Sequence, residues 1–498
     1  MKKQILTLLV LFFSINPSIR VQAGNNYSAR TSANGVFPAS KKDTLFTNAS
    51  VLFRPEDLGM SSKRLSRIDS IVKAGIKAKV FPGCQVLVLK EGKPVYDKCF
   101  GNYTYESKQE VKPTTMYDLA SLSKTTGTLL AIMKLYDEGK LKLTDNASQY
   151  LTFLQGTDKS DITIKELLFH ESGLPAGLPF YSLAIEQRSI PKSKKSVHKT
   201  KSGHTTKTTH TSKPAPKTKP ALVVKPQVRK PYSIANSTFK FKEDWVSKIP
   251  SDEYALQVAD SFYVNKRFHD AAMEMIAKAH LYGKTYCYSC INFILLKEIA
   301  ETISGTSMDV FLNREFYNPM KLNNLTYLPL RNHKKEDIAP TLQRDGLRNG
   351  RVQGYVNDPD AAFLGGVSGN AGLFATATDV GSVYQMLLNN GEIDGKRYLS
   401  EETCKLFTTT TSKSGRRDLG YDKPVPANMK HSPCCKSAPD VVYGHTGYTG
   451  TCCWVDPVNR FVYVFLSNRT YPFDGINKLA KTGIRTKIQE LIYQSMVK

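Results

Sequence analysis

The chain has 498 residues, 41% of them hydrophobic, and 69 Lys and Arg against 44 Asp and Glu leave a formal charge of +25. At ~100 to 200 residues per domain, this length accommodates one large core or two lobes around a cleft, so size excludes no class of enzyme. The charge does not signal nucleic-acid binding. Thirteen Lys or Arg and no acidic residue lie between Gln187 and Lys230, about half of the excess, and that segment has no aromatic ring on which a base could stack.

In chain order, Met1-Lys2-Lys3, an apolar run from Ile5 to Ile15 and the segment closing on Val21-Gln22-Ala23 read as a cleaved signal peptide over residues 1–23. The apolar run is roughly half of the ~20 residues that cross a bilayer. No cysteine stands at the cleavage point for lipid attachment, so a secreted or periplasmic protein is expected. Residues 24–50 form a polar, flexible tail, and residues 51–498 form the folded domain. Leu65, Ile68, Ile71, Val72 and Ile76 recur at helical spacing and predict a helix over Ser61–Val80. Gln85–Leu89 and Val95–Phe100 predict a hairpin turning at Lys90-Glu91-Gly92-Lys93. The stretch from Ser121 to about Asn390 is mostly helical pattern and loops. Gly450–Val455 and Arg460–Leu466 form a second strand pair, and Asn477–Met496 a closing helix. Such a chain folds as α/β (α+β): an antiparallel sheet flanked by N- and C-terminal helices, with a mostly helical lobe inserted between its strands.

The basic segment at about 187–230 has too little apolar content to bury and reads as a disordered insertion. A solvated loop is the simplest role for it; weak contact with an anionic wall or membrane surface is the alternative. Nine cysteines, an odd number, include the doublets Cys434-Cys435 and Cys452-Cys453 and the pair Cys287 and Cys290. A zinc site needs two such pairs at suitable spacing, so buried free thiols are expected, with no metal and no cofactor.

Ser121-Leu122-Ser123-Lys124 lies where Tyr117-Asp118-Leu119-Ala120 runs into the apolar helix Thr128–Met133. Serine and lysine three apart share a helix face. In a first helical turn, the dipole and burial favour the neutral, basic lysine, which activates the hydroxyl without a histidine. The same spacing recurs at Ser189–Lys192 and Ser196–Lys199 inside the basic segment, so the context decides. That context is Tyr288-Ser289-Cys290 and then His445-Thr446-Gly447, in this order. Flanking segments are Leu168–Leu174, Gly365–Phe374 and Tyr398-Leu399-Ser400.

With these motifs the chain resembles the serine β-lactamase and penicillin-binding-protein superfamily, in its class C-like branch with H-x-G as third motif. The likeness runs over residues 51–498 apart from the basic insertion. It implies a β-lactamase/transpeptidase-like fold and an acyl-enzyme on Ser121, with Lys124 taking the hydroxyl proton and Tyr288 passing it to the leaving group. It also implies an oxyanion hole from the backbone N–H groups of Ser121 and Tyr448. His445, Thr446 and Gly447 would line the substrate cleft, His445 being only partly protonated at neutral pH. One position departs: Cys290 stands where the family carries Asn or Asp, and a thiol is a weak partner for Lys124 and for a substrate carbonyl. Asn292 reads as a helix residue, His170 as the structural end of a helix, and the glycines of Gly369–Phe374 as backbone geometry bordering the cleft.

Neither a G-x-S-x-G elbow nor H-E-x-x-H is present. The resemblance implies hydrolysis of an amide or ester, with cell-wall peptides as substrate: removal of terminal D-alanine or cleavage between muramic acid and L-alanine. An esterase and a non-catalytic penicillin-binding sensor are the alternatives.

Overall fold

A computed structural model describes residues 52–186, 239–425 and 432–497. The expected signal peptide, the tail and the basic insertion lie outside the described residues. Strands β1 (Gly83–Lys90) and β2 (Lys93–Gly101) come from one end of the chain, and β3 (Tyr443–Thr446), β4 (Cys452–Asp456) and β5 (Phe461–Ser467) from the other. They form one sheet in the order β3-β4-β5-β1-β2, each neighbouring pair antiparallel. The two ends of the chain are thus joined along β1 and β5, where Val86 faces Phe465 and Val88 faces Tyr463. Only Glu91 and Gly92 separate β1 from β2, at φ +52° and +76°. Two successive positive φ values match the twist of the strands they connect.

Six helices frame the sheet and site: α1 (Arg67–Lys77), α2 (Leu129–Asp137), α3 (Ile164–Phe169), α4 (Cys290–Ser304), α5 (Ala377–Leu388) and α6 (Ile484–Ser495). Alternation along β1 sends Val86 and Val88 to one face and Leu87 and Leu89 to the other. Ile68 and Val72 of α1 and Ile488 and Ile492 of α6 share one core with the first face, to which Trp454 of β4 and Tyr463 of β5 also belong. Helix α5 covers the second. A Cβ on its Gly381 would sit 2.7 Å from Leu87 Cδ2, so glycine is what lets the helix lie this close to β1. Beyond α5 the helical lobe closes around Leu129, Ile132, Leu168, Phe293 and Leu296.

The expected architecture is present, with differences at its ends. The helix expected over Ser61–Val80 is two pieces, Ser62–Leu65 and α1, the first capped by the Ser61 hydroxyl. The closing helix also divides, into Lys478–Thr482 and α6, at Gly483 with φ +62°. Short antiparallel pairings at Leu256–Ala259 with Phe262–Val264, and at Leu342–Asp345 with Gly350–Val352, escaped the sequence reading because each is under five residues. The nine cysteines are free thiols, six of them buried. No helix among the described residues is long and apolar enough to cross a membrane.

Candidate active site

Tyr117 and Asp118 pair with Ala375 and Phe374 in a short antiparallel ladder and lead directly to Ser121. The chain turns at Ala120, whose φ of +48° is sparsely populated for a residue with a Cβ. The Asp118 carboxylate holds this turn, accepting from Ala120 N at 2.8 Å and from Asn357 N at 2.6 Å. Ala120–Leu122 is a 3₁₀ turn and Lys124–Thr128 a π turn before α2 begins. Lys124 therefore stands in a widened turn and not in the first turn of a regular α-helix, as its spacing suggested.

The spacing nonetheless brings the two functional groups together. Lys124 Nζ donates to Ser121 Oγ at 3.0 Å, to Asn370 O at 2.8 Å and to Cys290 Sγ at 3.6 Å. It also lies 5.2 Å from the centre of the Tyr288 ring and 5.9 Å from that of Phe293. Burial pushes its pKa down, but the negative charge that Cys290 and Tyr288 carry when ionised raises it, and the net displacement is upward. This net direction runs opposite to the lowering that burial and the helix dipole led the sequence reading to expect.

Tyr288 is half-buried two residues before α4. Its pKa is raised by burial, against the opposing pull of Lys124, and its hydroxyl interacts with both Ser121 and Lys124. Its ring packs against His170, with centroids 4.6 Å apart, and faces His445 at 6.0 Å. His170 ends α3 in the left-handed region at φ +56°. Its Nδ1 accepts from Ser289 N and from Asn292 Nδ2, both at 3.1 Å, and Asn292 Oδ1 accepts from Ser172 Oγ at 2.7 Å. Burial first, and the nearby charge of Arg417 second, hold the His170 pKa well below the usual histidine value. His170 thus acts as a neutral wedge that fixes the second motif. Asn292 is a helix residue serving His170, not a substitute for the missing amide beside Lys124.

The third motif occupies the end of edge strand β3. His445 Nδ1 lies 2.7 Å from Thr446 O, so it carries the proton and leaves Nε2 as an acceptor. Burial lowers the His445 pKa to about 4, despite the attraction of Asp422. The residue is neutral at pH 7, and the partial protonation expected from its ordinary value does not occur. Gly447 passes so near the segment leading to Ser121 that a Cβ there would lie 1.9 Å from Thr451 Oγ1 and 2.3 Å from Leu119 O. Thr449 Oγ1 and Thr451 Oγ1 donate to Asp118 O and Leu119 O at 2.7 and 2.8 Å, fastening the turn to the strand that leads to Ser121.

Ser121, Tyr288, His445, Thr446, Gly447 and Tyr448 line one cleft of about 340 Å³. Cys290 meets the site through its Sγ, 3.6 Å from Lys124 Nζ. Three features gave no sequence signal. The Asn370 carbonyl that receives the Lys124 ammonium depends on a fold-level approach. Arg416, Arg469 and Arg485 also line the cleft, and they look like surface arginines in sequence. A buried ion pair joins Arg417 Nη1 to Asp422 Oδ1 at 2.5 Å, with the Arg417 guanidinium 5.9 Å from the Tyr288 ring centre.

The sequence pattern of the beta-lactamase family matches residues 68–192 and 246–482. A protein from Escherichia coli named "Putative D-alanyl-D-alanine carboxypeptidase" is 27% identical over 445 residues, 84% of this chain and 85% of its own. An N-acetylmuramyl-L-alanine amidase from Bacillus subtilis is 26% identical over 494 residues, 93% of this chain and 92% of its own. Among solved structures, EstCE1, a hydrolase with promiscuous acyltransferase activity, superposes with a TM-score of 0.56 at 17% identity, covering 86% of this chain and 99% of that one. The chain belongs to the beta-lactamase family and is a serine hydrolase of that family.

Proposed function

We propose that this protein is an exported serine hydrolase that forms an acyl-enzyme on Ser121 and cleaves an amide or ester bond in peptides derived from peptidoglycan. The observation that carries the reading is the 3.0 Å contact of Lys124 Nζ with Ser121 Oγ, with the Tyr288 hydroxyl interacting with both. Ser121 Oγ attacks the carbonyl carbon and its proton passes to the deprotonated Lys124 and Tyr288 pair. The oxyanion that forms is met by the N–H groups of Ser121 and Tyr448. As the tetrahedral intermediate collapses, the pair returns the proton to the departing amine or alcohol. Water, deprotonated by the same pair, then releases the acid and frees Ser121.

Peptidoglycan is supported by the names of the two similar proteins, a D-alanyl-D-alanine carboxypeptidase and an N-acetylmuramyl-L-alanine amidase. The guanidinium groups of Arg416 and Arg485 in the cleft agree with a substrate that carries carboxylates. Export is supported by the N-terminal Met1–Ala23 segment. The family match stops at 192 and resumes at 246, which supports an insertion in the basic stretch.

Incubation of the purified protein with muropeptides tests the reading by mass. Loss of one alanine identifies a carboxypeptidase and loss of the whole stem peptide an amidase; with neither, and with ester hydrolysis instead, the esterase alternative stands. A fluorophosphonate adduct on Ser121, absent in Ser121→Ala, is expected. Lys124→Ala should slow acylation by roughly two to four orders of magnitude, and wild-type rates in that variant would refute the base role.

A further inference from the structure

An oxyanion-hole donor is only as effective as its direction, because it must meet charge that exists only in the transition state. Thr449 and Thr451 fasten the turn to the Ser121 side, but Tyr448, at the apex between Gly447 and Thr449, has 47% of its surface exposed. The contacts on Tyr448 come from the chain just beyond β5. Arg469 Nε donates to Tyr448 O at 2.7 Å, and the Arg469 guanidinium lies 4.3 Å from the centre of the Tyr448 ring. Arg469 Nη1 donates to Asp474 Oδ1 at 3.3 Å, and the Tyr448 hydroxyl donates to the other oxygen of the same carboxylate. Three side chains therefore close a ring of four contacts around one residue.

The Arg469 side chain is only 3% exposed, an expensive place for a cation unless the surroundings are built for it. Tyr448 O and Asp474 Oδ1 accept from it, Arg469 N donates to Thr449 O at 2.8 Å, and Gly450, at φ +109°, leaves the room that a Cβ 2.8 Å from Arg469 Cγ would fill.

We propose that Arg469 and Asp474 are positioning residues that clamp Tyr448 by its carbonyl, ring and hydroxyl, and so aim its backbone N–H at the oxyanion. The proposal rests on the acyl-enzyme reading of Ser121. Holding the ring and the carbonyl fixes the side chain and ψ of Tyr448, leaving the adjoining N–H little freedom. Burial, with the hydrogen bond to Asp474 second, raises the Tyr448 phenol pKa to about 12, which keeps the hydroxyl a donor throughout the working range.

The test measures the maximal inactivation rate, kinact, and the half-saturating concentration, KI, of a fluorophosphonate probe on the full chain. Arg469→Ala should lower kinact roughly 10- to 100-fold, with KI changed by less than about twofold, since the loss falls on the transition state alone. Arg469→Lys keeps the charge but not the planar fork and should recover only part of the rate. Tyr448→Phe, an exposed and conservative change, should lower kinact severalfold and decides the matter if Arg469→Ala does not fold. Unchanged kinact in both variants overturns the clamp. So does a raised KI with intact kinact, which assigns Arg469 to ligand binding instead. No adduct on Ser121 in the wild type overturns the acyl-enzyme reading itself, and the clamp with it.

Discussion

Cys290 changes the chemistry of Lys124 more than it changes the shape of the site. Burial alone would lower the lysine pKa, and the charge of Cys290 is the first of the influences that raise it. A base that must lose a proton before it can work gives an acylation rate that rises with pH above neutrality. Cys290→Ser removes the group whose ionised form raises the Lys124 pKa, so the rising limb of the fluorophosphonate pH profile should move to lower pH. An unmoved limb, or one moved upward, would contradict this. His445 yields a second prediction. Its folded pKa of about 4 lies below the ~6.5 of an unfolded histidine. Between those values the unfolded chain binds a proton that the folded protein refuses, so stability present above about pH 6.5 is lost as pH falls toward 4. The loss is on the order of 3 kcal/mol at about 1.4 kcal/mol per unit. Urea melts at pH 7 and pH 4.5 should show a smaller drop for His445→Gln than for the wild type; equal drops would count against it. Sequence supplied the identities of Ser121, Lys124, Tyr288 and His445, because their types and order are chemically selective. It could not supply their protonation, which depends on burial and on neighbours far away in the chain.

At the scale of elements, the site is a meeting of three chain segments: the turn before α2, the residues entering α4, and the end of β3. Gly447 is where two of them touch, with a Cβ there colliding with Thr451 Oγ1 and Leu119 O. Gly447→Ala must push β3 away from the strand leading to Ser121. Acylation should fall roughly 100-fold, the scale of a displacement near 1 Å, and melting should occur at lower temperature through overpacking worth about 1 to 3 kcal/mol. Labelling and a thermal melt of the variant check both, and an unaffected labelling rate would show that the contact is not needed. The strands β1, β2, β4 and β5 were legible because each is a run of apolar or β-branched residues between turn residues. The breaks at Ser66 and Gly483 were not, since hydrophobic spacing continues across both and only the packing of α1 and α6 on the sheet requires the bend. The π turn at Lys124–Thr128 likewise leaves no mark in a pattern of side-chain types.

Across the whole molecule, the sheet order joins residues 83–101 to residues 443–467 and encloses the lobe between them. The described chain on either side of the basic segment is already paired. Ile185 bridges Phe241, Glu186 N donates to Lys240 O at 2.9 Å, and Lys240 Nζ lies 2.9 Å from Glu186 Oε2. Ends held together need only a short linker, because loop-closure cost changes slowly with length. Deletion of residues 187–230 should therefore leave the melting temperature within about 2 °C and the Ser121 labelling rate within roughly twofold. A collapse of either would show that the segment belongs to the folded domain. Binding of wild type and deletion variant to isolated cell wall separates a solvated insertion from an adhesive one.

By itself the sequence determined the sheet with its terminal helices and the family resemblance, and it singled out Ser121 and Lys124 as the proposed nucleophile and base. These follow from local periodicity and from side-chain types whose chemistry few other residues can perform. Only the tertiary structure decided that Lys124 Nζ donates to the Asn370 carbonyl, that burial lowers the His445 pKa, and that Arg469 and Asp474 hold Tyr448. Each is a matter of distance and desolvation between groups remote in the chain, and no spacing along the sequence encodes them.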